Sequence, residues 1–503
     1  MYNHFKKHKH RYILLFIFLL SLSLRLYFAF QNPNFDYDSY QELRQIEHIK
    51  QTGLPLMYDS LSYSGRTIIS TPLYYYVLAL LNLFLPLSIV GKLVPNILIS
   101  LLTIVVYLTS YQLTKNKNIS LLTAFISTLI PIFFSSSVFT LSSAPIIILL
   151  IFTCLYCLMR IHESEKYINY FLIIAIILPM IHGTALLLII GLLFYIFFTK
   201  IEGLNIKKSE TEIILFSTFF ISWTLFLVYK KAILLHGHTI IWSNLPSNIL
   251  NTTFTTLNIL KYISYIGIIP LIFGIWSIFK YVFKHKEINS YKLISFTIAI
   301  FFLLIFKLIT PILAVSYLSL TLIILSSKIF LHLSNYIDKT KAVKFKKLIF
   351  SSIIIIFLLT SLIPTINLTN SELGTLPSDN DLNVLNWITR TTEKDDTILA
   401  GLRYGHAINS FSNRKTVLDN NFLYIKNANT IFNDVDRIYQ TNSEIEAIKL
   451  INKHNIQYIL LTEHDKIHYN IEDLHYANND ACFQVVYEKN NAKVYKFLNC
   501  KTT

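Results

Sequence analysis

Charged residues are scarce in this 503-residue chain. Asp, Glu, Lys and Arg make up 15% of it, whereas soluble domains carry roughly 25%. Hydrophobic residues account for 53%. This balance excludes an ordinary soluble globular protein and indicates a membrane protein. Acidic residues are fewer than basic residues, 29 against 44. A close pair of carboxylates outside the apolar runs therefore requires an explanation.

The common signatures of soluble enzymes are also missing. The polar last part of the chain, from residue 365, has no Gly-rich phosphate loop, no GxSxG elbow and no histidines at the spacing of a metal site. Cys154 and Cys157 form a CxxC, but they lie in an apolar run without a second pair or a histidine cluster. A metal site is therefore not indicated there.

Long apolar runs are what the chain has instead. A hydrocarbon core about 30 Å thick requires roughly 20 mostly apolar residues per helix. Eleven segments qualify, near 12–30, 87–113, 118–136, 144–160, 167–181, 184–199, 211–229, 263–283, 291–307, 311–333 and 348–364. The predicted fold class is therefore an α-helical multi-pass membrane protein. The shorter run 71–87 predicts an interfacial or re-entrant helix, with a twelfth span as the alternative.

The distribution of Lys and Arg gives the orientation, because basic residues are retained on the cytoplasmic side of a membrane. With the N-terminus inside, the loops assigned to the cytoplasm hold nineteen basic residues, and the two long outside loops, 31–86 and 230–262, hold six. We therefore expect a cytoplasmic N-terminus and an extracytoplasmic C-terminal part. The net charge of +15 lies largely in the cytoplasmic loops, so it does not indicate nucleic-acid binding.

The chain is expected to divide into a transmembrane domain, 1–364, and a C-terminal domain, 365–503. The first apolar run follows a basic start and lacks a small-residue cleavage pattern, so we interpret it as a retained signal anchor rather than a cleaved signal. In the tail, the strand-like runs TILAG, KTVLD and IQYILLT and the helical pattern SEIEAIKLINKHN predict a small mixed α/β domain.

Near the end of the tail, FQVVYEK and AKVYKFL, joined by Asn490 and Asn491, predict a β-hairpin. Cys482 and Cys500 flank this hairpin on the expected extracytoplasmic side, where disulfides can form. The sequence leaves open whether they are bonded.

Two carboxylates, Asp36 and Asp38, open the first outside loop in the stretch NFDYDSYQELRQIEHIK. The residues from Ser39 to Gly53 predict a helix, so both acids would lie at its N-terminus. One interpretation is capping, because Asp before a helix accepts backbone N–H bonds and gains from the helix dipole. The other is a catalytic carboxylate at the membrane face that takes a proton from an acceptor. Composition leaves both open.

The loop and its neighbouring segments resemble a known family. A first span is followed by DYDSYQELRQIEHIKQTG, then YDSLSYSG, and then KLVPNILISLLTIVVYLTSYQL. This order resembles the start of the oligosaccharyltransferase catalytic subunit, of archaeal or bacterial type, in the glycosyltransferase C (GT-C) superfamily. The resemblance implies a GT-C fold with interfacial helices in loop 31–86, and it places Asp38 at the family's catalytic aspartate.

A second stretch, WITRTTEKDDTILAGLRYGHAINSFSNRKTVLDNN, is similar to the family's region around its WWDYG motif. Tyr404 and Gly405 keep the pattern, whereas Gly401, Leu402 and Arg403 stand where the family has Trp, Trp and Asp. In the family this motif recognises the Ser or Thr of the acceptor sequon. The three substitutions therefore leave the acceptor open.

A further departure concerns metal. The segment SSVFTLSSAP, 136–145, corresponds to the family's second external loop, in which an acidic pair helps to hold a divalent cation, and here it contains no acid. Mg2+ or Mn2+ requires several oxygen ligands, and Asp36, Asp38 and Asp59 from one loop are few. We therefore expect metal-independent chemistry without a cofactor, or no chemistry at all.

The resemblance implies a reaction in which a sugar leaves a polyprenyl-phosphate donor with inversion at its anomeric carbon. A lipid phosphate or pyrophosphate leaving group requires fixed positive charge on the outer side. For each basic candidate, the alternative is a side chain that merely snorkels to the interface. The candidate substrate-binding residues are Asp59, Arg44, Arg66, Lys92, His182, Lys307 and Tyr404.

The leading hypothesis is an integral membrane glycosyltransferase with Asp38, assisted by Asp36, at its catalytic centre. The alternative is a non-catalytic GT-C relative or a transporter of lipid-linked glycans. Transporters bury ionisable groups at mid-membrane and often show repeated halves, and the sequence shows neither. Expected partners are a lipid-linked sugar donor, membrane lipid and a protein, lipid or glycan acceptor, in the cell membrane of a prokaryote rather than the endoplasmic reticulum.

Overall fold

The computed structural model describes residues 2–68, 71–255, 258–489 and 491–500, apart from the side chains of 2–8 and 255. The chain begins with helix α1 (Tyr2–Ala29) and enters a long loop. The loop contains α2 (Ser39–Thr52), the paired strands β1 (Tyr58–Asp59) and β2 (Arg66–Thr67), and α3 (Leu73–Leu81).

Two features shape this first loop. Gly53 ends α2 because it adopts a φ of 75°, in the left-handed region that glycine enters without steric cost. With nine residues, α3 is too short to cross a hydrocarbon core of about 30 Å. It packs against α2 as part of the loop.

The helical domain continues with a further series of helices, several of which pack against α15. They are α4 (Leu87–Thr114), α5 (Lys117–Ser127), α6 (Pro131–Ser137), α7 (Ala144–Met159), α8 (Glu165–Ile177), α9 (Leu186–Ile201), α10 (Lys208–His236), α11 (Ser247–Thr255), α12 (Ile259–Ile266), α13 (Ile268–Phe283), α14 (Ile288–Ile305), α15 (Pro311–Asp338) and α16 (Lys346–Leu373). Short 3-10 helices, Leu178–Met180, Gly183–Ala185, Gly237–Trp242 and Lys341–Phe345, lie between them. Most residues of α15 are buried.

The multi-pass helical fold is confirmed, but the count of eleven spans is not. Within the described residues, seven helices are long and apolar enough to cross a membrane, and nine if two bent pairs each count as one span. Helices α5 and α6 bend by 44° ahead of Pro131, and α12 and α13 bend by 91° at Gly267. A residue before proline is disfavoured in a helix, and Gly267 has a φ of 89°. Helices α7 and α8 have 16 and 13 residues, fewer than the roughly 20 that a span requires.

After α16 the chain forms a small domain around one five-stranded sheet, as the tail sequence predicts. Its elements are α17 (Asp379–Thr391), β3 (Thr397–Leu399), α18 (Gly405–Ala407), β4 (Lys415–Thr416), α19 (Ala428–Gln440), α20 (Glu444–Lys453), β5 (Tyr458–Leu461), α21 (Glu463–Tyr469), β6 (Phe483–Lys489) and β7 (Ala492–Phe497). A 3-10 turn, Leu402–Tyr404, precedes α18, and a π-helical turn, Ile408–Ser412, follows it. The strand order is β4-β3-β5-β7-β6, with β4, β3 and β5 parallel and β7 antiparallel to both neighbours.

The two cysteines of the small domain are bonded to each other. β6 and β7 form the expected hairpin, and a disulfide joins Cys482 to Cys500. Asn490, in the expected turn, lies outside the described residues. At the other end of the domain, α16 continues past residue 364 to Leu373 before the small domain begins.

The first loop and the C-terminal domain pack together. Tyr37 and Tyr40 are buried in one hydrophobic cluster with residues of α17, α18 and β5. Arg66 of β2 forms an ion pair at 3.0 Å with Asp419, and the two side chains are 2% and 0% exposed. The Ser62 hydroxyl also donates to the Asp419 carboxylate. These contacts bring the residues after β4 to the start of α2.

Candidate functional site

The carboxylate pair lies where the start of α2 meets the C-terminal domain. The Ser39 backbone N–H donates to the Asp36 carboxylate at 3.1 Å, and the Thr140 hydroxyl donates to it at 2.9 Å. Burial, together with the nearby Asp38, raises the pKa of Asp36 to about 7. Asp36 therefore secures the start of α2 and ties it to the segment before α7, which agrees with the capping interpretation.

Asp38 has a different environment. It occupies the N-cap position of α2 but makes no side-chain cap bond, and its side chain is exposed. The Asn420 amide nitrogen donates to its Oδ1. No donor in the described part of the chain contacts its Oδ2, so this oxygen can accept a proton from a bound molecule.

A buried histidine fixes the orientation of Asn420. His406 Nε2 lies 2.6 Å from Asn420 Oδ1, and because an amide oxygen can only accept, the histidine donates and the amide nitrogen faces Asp38. His406 Nδ1 lies 3.6 Å from the Asp419 carboxylate, which pairs with Arg66. A chain of polar contacts therefore runs from the first loop through the C-terminal domain and back to Asp38.

Glu42 is a third carboxylate at the site. It lies one turn after Asp38 on α2, so both side chains belong to one face of the helix. It is hydrogen-bonded to Tyr75, and burial, with smaller contributions from Asp36 and Asp38, raises the pKa of Glu42 to about 7. Because burial disfavours its charged form, Glu42 tends to keep its proton near neutral pH.

Two adjoining cavities lead to these carboxylates. The apolar groove, about 540 Å3, lies between α9, α10, α14 and α15, and Leu, Ile and Phe side chains make up most of its lining. The polar cavity, about 370 Å3, is lined by Gln41, Glu42, Ser142, Ser143 and Asn421, among others. His182 and Leu313 line both cavities. A long apolar ligand with a polar head would fit this pair of cavities.

His182 stands at the junction of the two cavities. Its Nδ1 accepts the Thr184 backbone N–H at 3.0 Å, which places the ring proton on Nε2. Burial lowers the pKa of His182 to about 4, so the ring is neutral at neutral pH. The sequence-predicted residue thus offers a neutral N–H donor at the head of the apolar groove.

The acidic cavity, about 490 Å3, shares Asp38 with the site but none of the lining of the other two cavities. Asp436, Asp465, Arg403, His464 and His468 contribute to its wall. A Cβ at Gly401 would clash with the Asp465 carboxylate, so this position cannot carry the large side chain of the family motif. The cavity differs accordingly from a WWDYG site.

Most of the predicted donor-binding cations have other partners. Arg44 forms two hydrogen bonds of 2.7 Å with Asp59, and although burial opposes it, this pairing lowers the pKa of Asp59. Arg66 pairs with Asp419. Lys92 is buried and donates to backbone carbonyls at the end of α1, at 2.8 Å from Ala29. These contacts are structural.

The two remaining predicted residues lie apart from this pattern. The ammonium group of Lys307 lies 5.5 Å from the centre of the Phe254 ring. In sequence, Lys307 stands between Leu303 and Leu308, which both line the apolar groove. Tyr404 donates to Asp381 at 2.9 Å and packs edge-on against Tyr37. Tyr404 therefore supports the loop before Asp38 instead of lining the acidic cavity.

The segment 136–145 offers a divalent cation no carboxylate. Thr140, from the segment that supplies acids in the family, donates a hydrogen bond to Asp36 and adds no carboxylate that could give electron pairs to a cation. In the described part of the chain, no group of three or more His, Cys, Asp or Glu side chains is arranged to hold a metal ion.

Sequence reasoning missed Glu42, Asn420 and His406. The four-residue spacing between Asp38 and Glu42 places both on one face of a predicted helix, and this signal could have identified Glu42. Asn420 lies in the stretch VLDNN, but it meets a residue 382 positions earlier, which no local pattern reveals. His406 carries no signal of its own.

Comparison with known proteins identifies the fold. The Archaeoglobus fulgidus oligosaccharyltransferase, in its apo form, matches with a TM-score of 0.72 and 13% identity over 92% of this chain and 71% of the other. Its complex with an inhibitory peptide and a dolichol-phosphate gives a TM-score of 0.67, and its complex with a tethered acceptor peptide containing the NVT sequon gives 0.68; each has 13% identity and covers 91% of this chain and 69% of the other. A further structure of it contains zinc and sulfate. No protein-family model and no curated protein sequence matches the chain. The GT-C fold expected from the sequence is thereby confirmed.

Proposed function

We propose that this protein is a membrane glycosyltransferase that moves a sugar or glycan from a polyprenyl- or dolichyl-phosphate-type lipid to an acceptor on the extracytoplasmic face. The fold likeness supports this, because the similar enzyme binds dolichol-phosphate and an acceptor peptide. The positive-inside distribution of Lys and Arg supports the assignment of the reaction to the outer face.

One observation carries the proposal: the helix that bears Asp38 and Glu42 joins two different kinds of cavity. Glu42 lines the polar cavity beside the apolar groove, and Asp38 lines the acidic cavity. A lipid chain in the groove would bring its phosphate to the polar cavity. An acceptor in the acidic cavity would then approach the sugar from the Asp38 side.

In the proposed reaction, Asp38 is the base. Asn420 donates to its Oδ1, which leaves Oδ2 to take the proton of the acceptor as the acceptor attacks the anomeric carbon. The bond from that carbon to the phosphate oxygen breaks on the opposite side, so the configuration inverts. Asp36 holds α2 in place through Ser39 and Thr140 and does not touch the substrates.

The chemistry is proposed to run without a divalent cation, since Thr140 satisfies Asp36 by donating to it. Lys307, beside groove-lining residues, is the predicted cation best placed to attract the lipid phosphate towards the groove. A non-catalytic relative would also lack metal-binding acids in the segment 136–145. Whether the protein is catalytic must therefore be tested directly.

The test is product formation. Purified protein in lipid is incubated with a panel of polyprenyl-phosphate sugars and candidate acceptors, including peptides, and free lipid phosphate is measured by mass spectrometry. We expect release by the wild type and none above background by Asp38→Asn, with Asp36→Asn retaining more activity. Full activity of Asp38→Asn would remove the base assignment. Tight donor binding without release across the panel would favour the non-catalytic relative or transporter.

A further inference from the structure

Glu42 is the one carboxylate of the cluster that lines the polar cavity. It lies four residues after Asp38, the N-cap of α2, so about one helical turn separates it from the proposed base. The polar cavity meets the apolar groove at His182 and Leu313, so the head of a lipid lying in the groove would enter the space beside Glu42.

Among the described residues that line the polar cavity there is no Lys or Arg. The groups that could bind a phosphate there are neutral: Gln41, Ser142, Ser143, Asn421 and the Nε2–H of His182. When the sugar leaves, the lipid phosphate gains a second negative charge. A dianion among neutral donors and carboxylates would be strongly disfavoured unless a proton reaches it.

We propose that Glu42 is the general acid that protonates the departing lipid phosphate. The inference rests on the proposed function and adds a second catalytic residue to it. As the bond between the anomeric carbon and the phosphate oxygen breaks, its electron pair stays on the oxygen, and the Glu42 proton transfers to the phosphate. The acceptor proton passes to Asp38. Water then returns one proton to Glu42 and removes one from Asp38, so the cycle balances.

The local electrostatics suit this role. Burial, with Asp36 and Asp38, raises the pKa of Glu42 to about 7, and the second pKa of a phosphate monoester is about 6. Proton transfer is most effective between groups of similar pKa that also lie near the working pH. The titratable groups facing Glu42 are Asp36 and Asp38 from its own loop, Tyr74 and Tyr75 from α3, and His182 across the cavity.

The test compares Glu42→Gln, Glu42→Asp and the wild type by lipid phosphate release between pH 5 and pH 9. Glu47→Gln, an exposed carboxylate on the same helix, is the matched control. The wild-type kcat should fall as the pH rises above the pKa of Glu42, because the protonated form is active. Glu42→Gln should lose on the order of 100-fold in kcat with little change in KM, and it should lose this alkaline dependence. Glu42→Asp, which keeps an acid, should retain the dependence, and Glu47→Gln should behave as wild type.

Full activity of Glu42→Gln, or an unchanged alkaline limb in that variant, would overturn the role of Glu42 and leave the proposed function standing. If Glu42→Gln does not fold, the wild-type profile decides, since a kcat that does not fall at alkaline pH excludes an acid with this pKa. A wild type that releases no lipid phosphate with any donor rejects the proposed function itself.

Discussion

The ion pair between Arg66 and Asp419 allows a quantitative test of what Arg66 does. The pair is buried, at 3.0 Å, and joins the first loop to the C-terminal domain. Arg66→Gln would leave the Asp419 carboxylate buried without its cation. Breaking a buried pair from one side costs about 3–5 kcal/mol. Asp419 keeps two donors, the Ser62 hydroxyl and the Asn421 N–H at 3.0 Å, so we expect the lower end of this range.

A loss of about 3 kcal/mol corresponds to a roughly 100-fold rise in the fraction of molecules in which the domain has separated from the loop. Limited proteolysis of the protein in lipid nanodiscs measures this fraction through the cleavage rate at the loop and domain surfaces. Asp419→Asn should have a similar effect, and the double variant should cost less than the sum of the two because no lone charge remains. Asp395→Asn, which breaks the exposed pair with Lys415, is the control and should change the rate little.

The alternative is that Arg66 binds the donor phosphate, as the sequence suggests. In that case Arg66→Gln would lower donor affinity while its proteolysis rate stayed at the wild-type value, and Asp419→Asn would leave donor affinity intact. That combination would refute the structural role.

Two further predictions address the site. Asn420→Ala should lower turnover roughly 10- to 100-fold, because a hydrogen bond to a charged group contributes about 1.5–3 kcal/mol. The melting temperature of this variant should fall less than that of Arg66→Gln. Asn452→Ala, whose amide bonds the Cys500 carbonyl far from Asp38, is its control, and equal turnover in the two variants would contradict the role of Asn420. EDTA should leave lipid phosphate release largely unchanged. A strict requirement for added Mn2+ or Mg2+ would contradict the metal-independent reaction and show that other residues bind the ion.

The sequence predicted those parts of the fold that depend on local pattern. The apolar runs coincide with helices, the strand-like runs of the tail coincide with β3, β4 and β5, and the hairpin lies between the two cysteines. The number of spans is not confirmed. Helix bends are set by backbone geometry at points such as Gly267 and the residue before Pro131, and an average of composition over a long window does not detect them.

The site was predictable only as far as the resemblance reached. It proposed Asp38 as the base, which stays a prediction, and the partners of the cations depend on contacts between distant segments. Arg66 and Asp419 are 353 positions apart, and nothing in the sequence near Arg66 indicates that its charge is already satisfied. Glu42 lies at a helical spacing from Asp38, but its significance depends on a cavity that residues from six separate segments enclose.

The contact between Asp38 and Asn420 also orders events during synthesis. Asp38 is made with the first tenth of the chain, whereas Asn420, which donates to it, and most of the walls of the acidic cavity are made hundreds of residues later. A partly synthesised chain that is already in the membrane therefore carries Asp38 without Asn420 and without a complete acidic cavity. Under the proposed function, a donor lipid that meets such a chain would find no assembled site until the C-terminal domain has folded against the first loop.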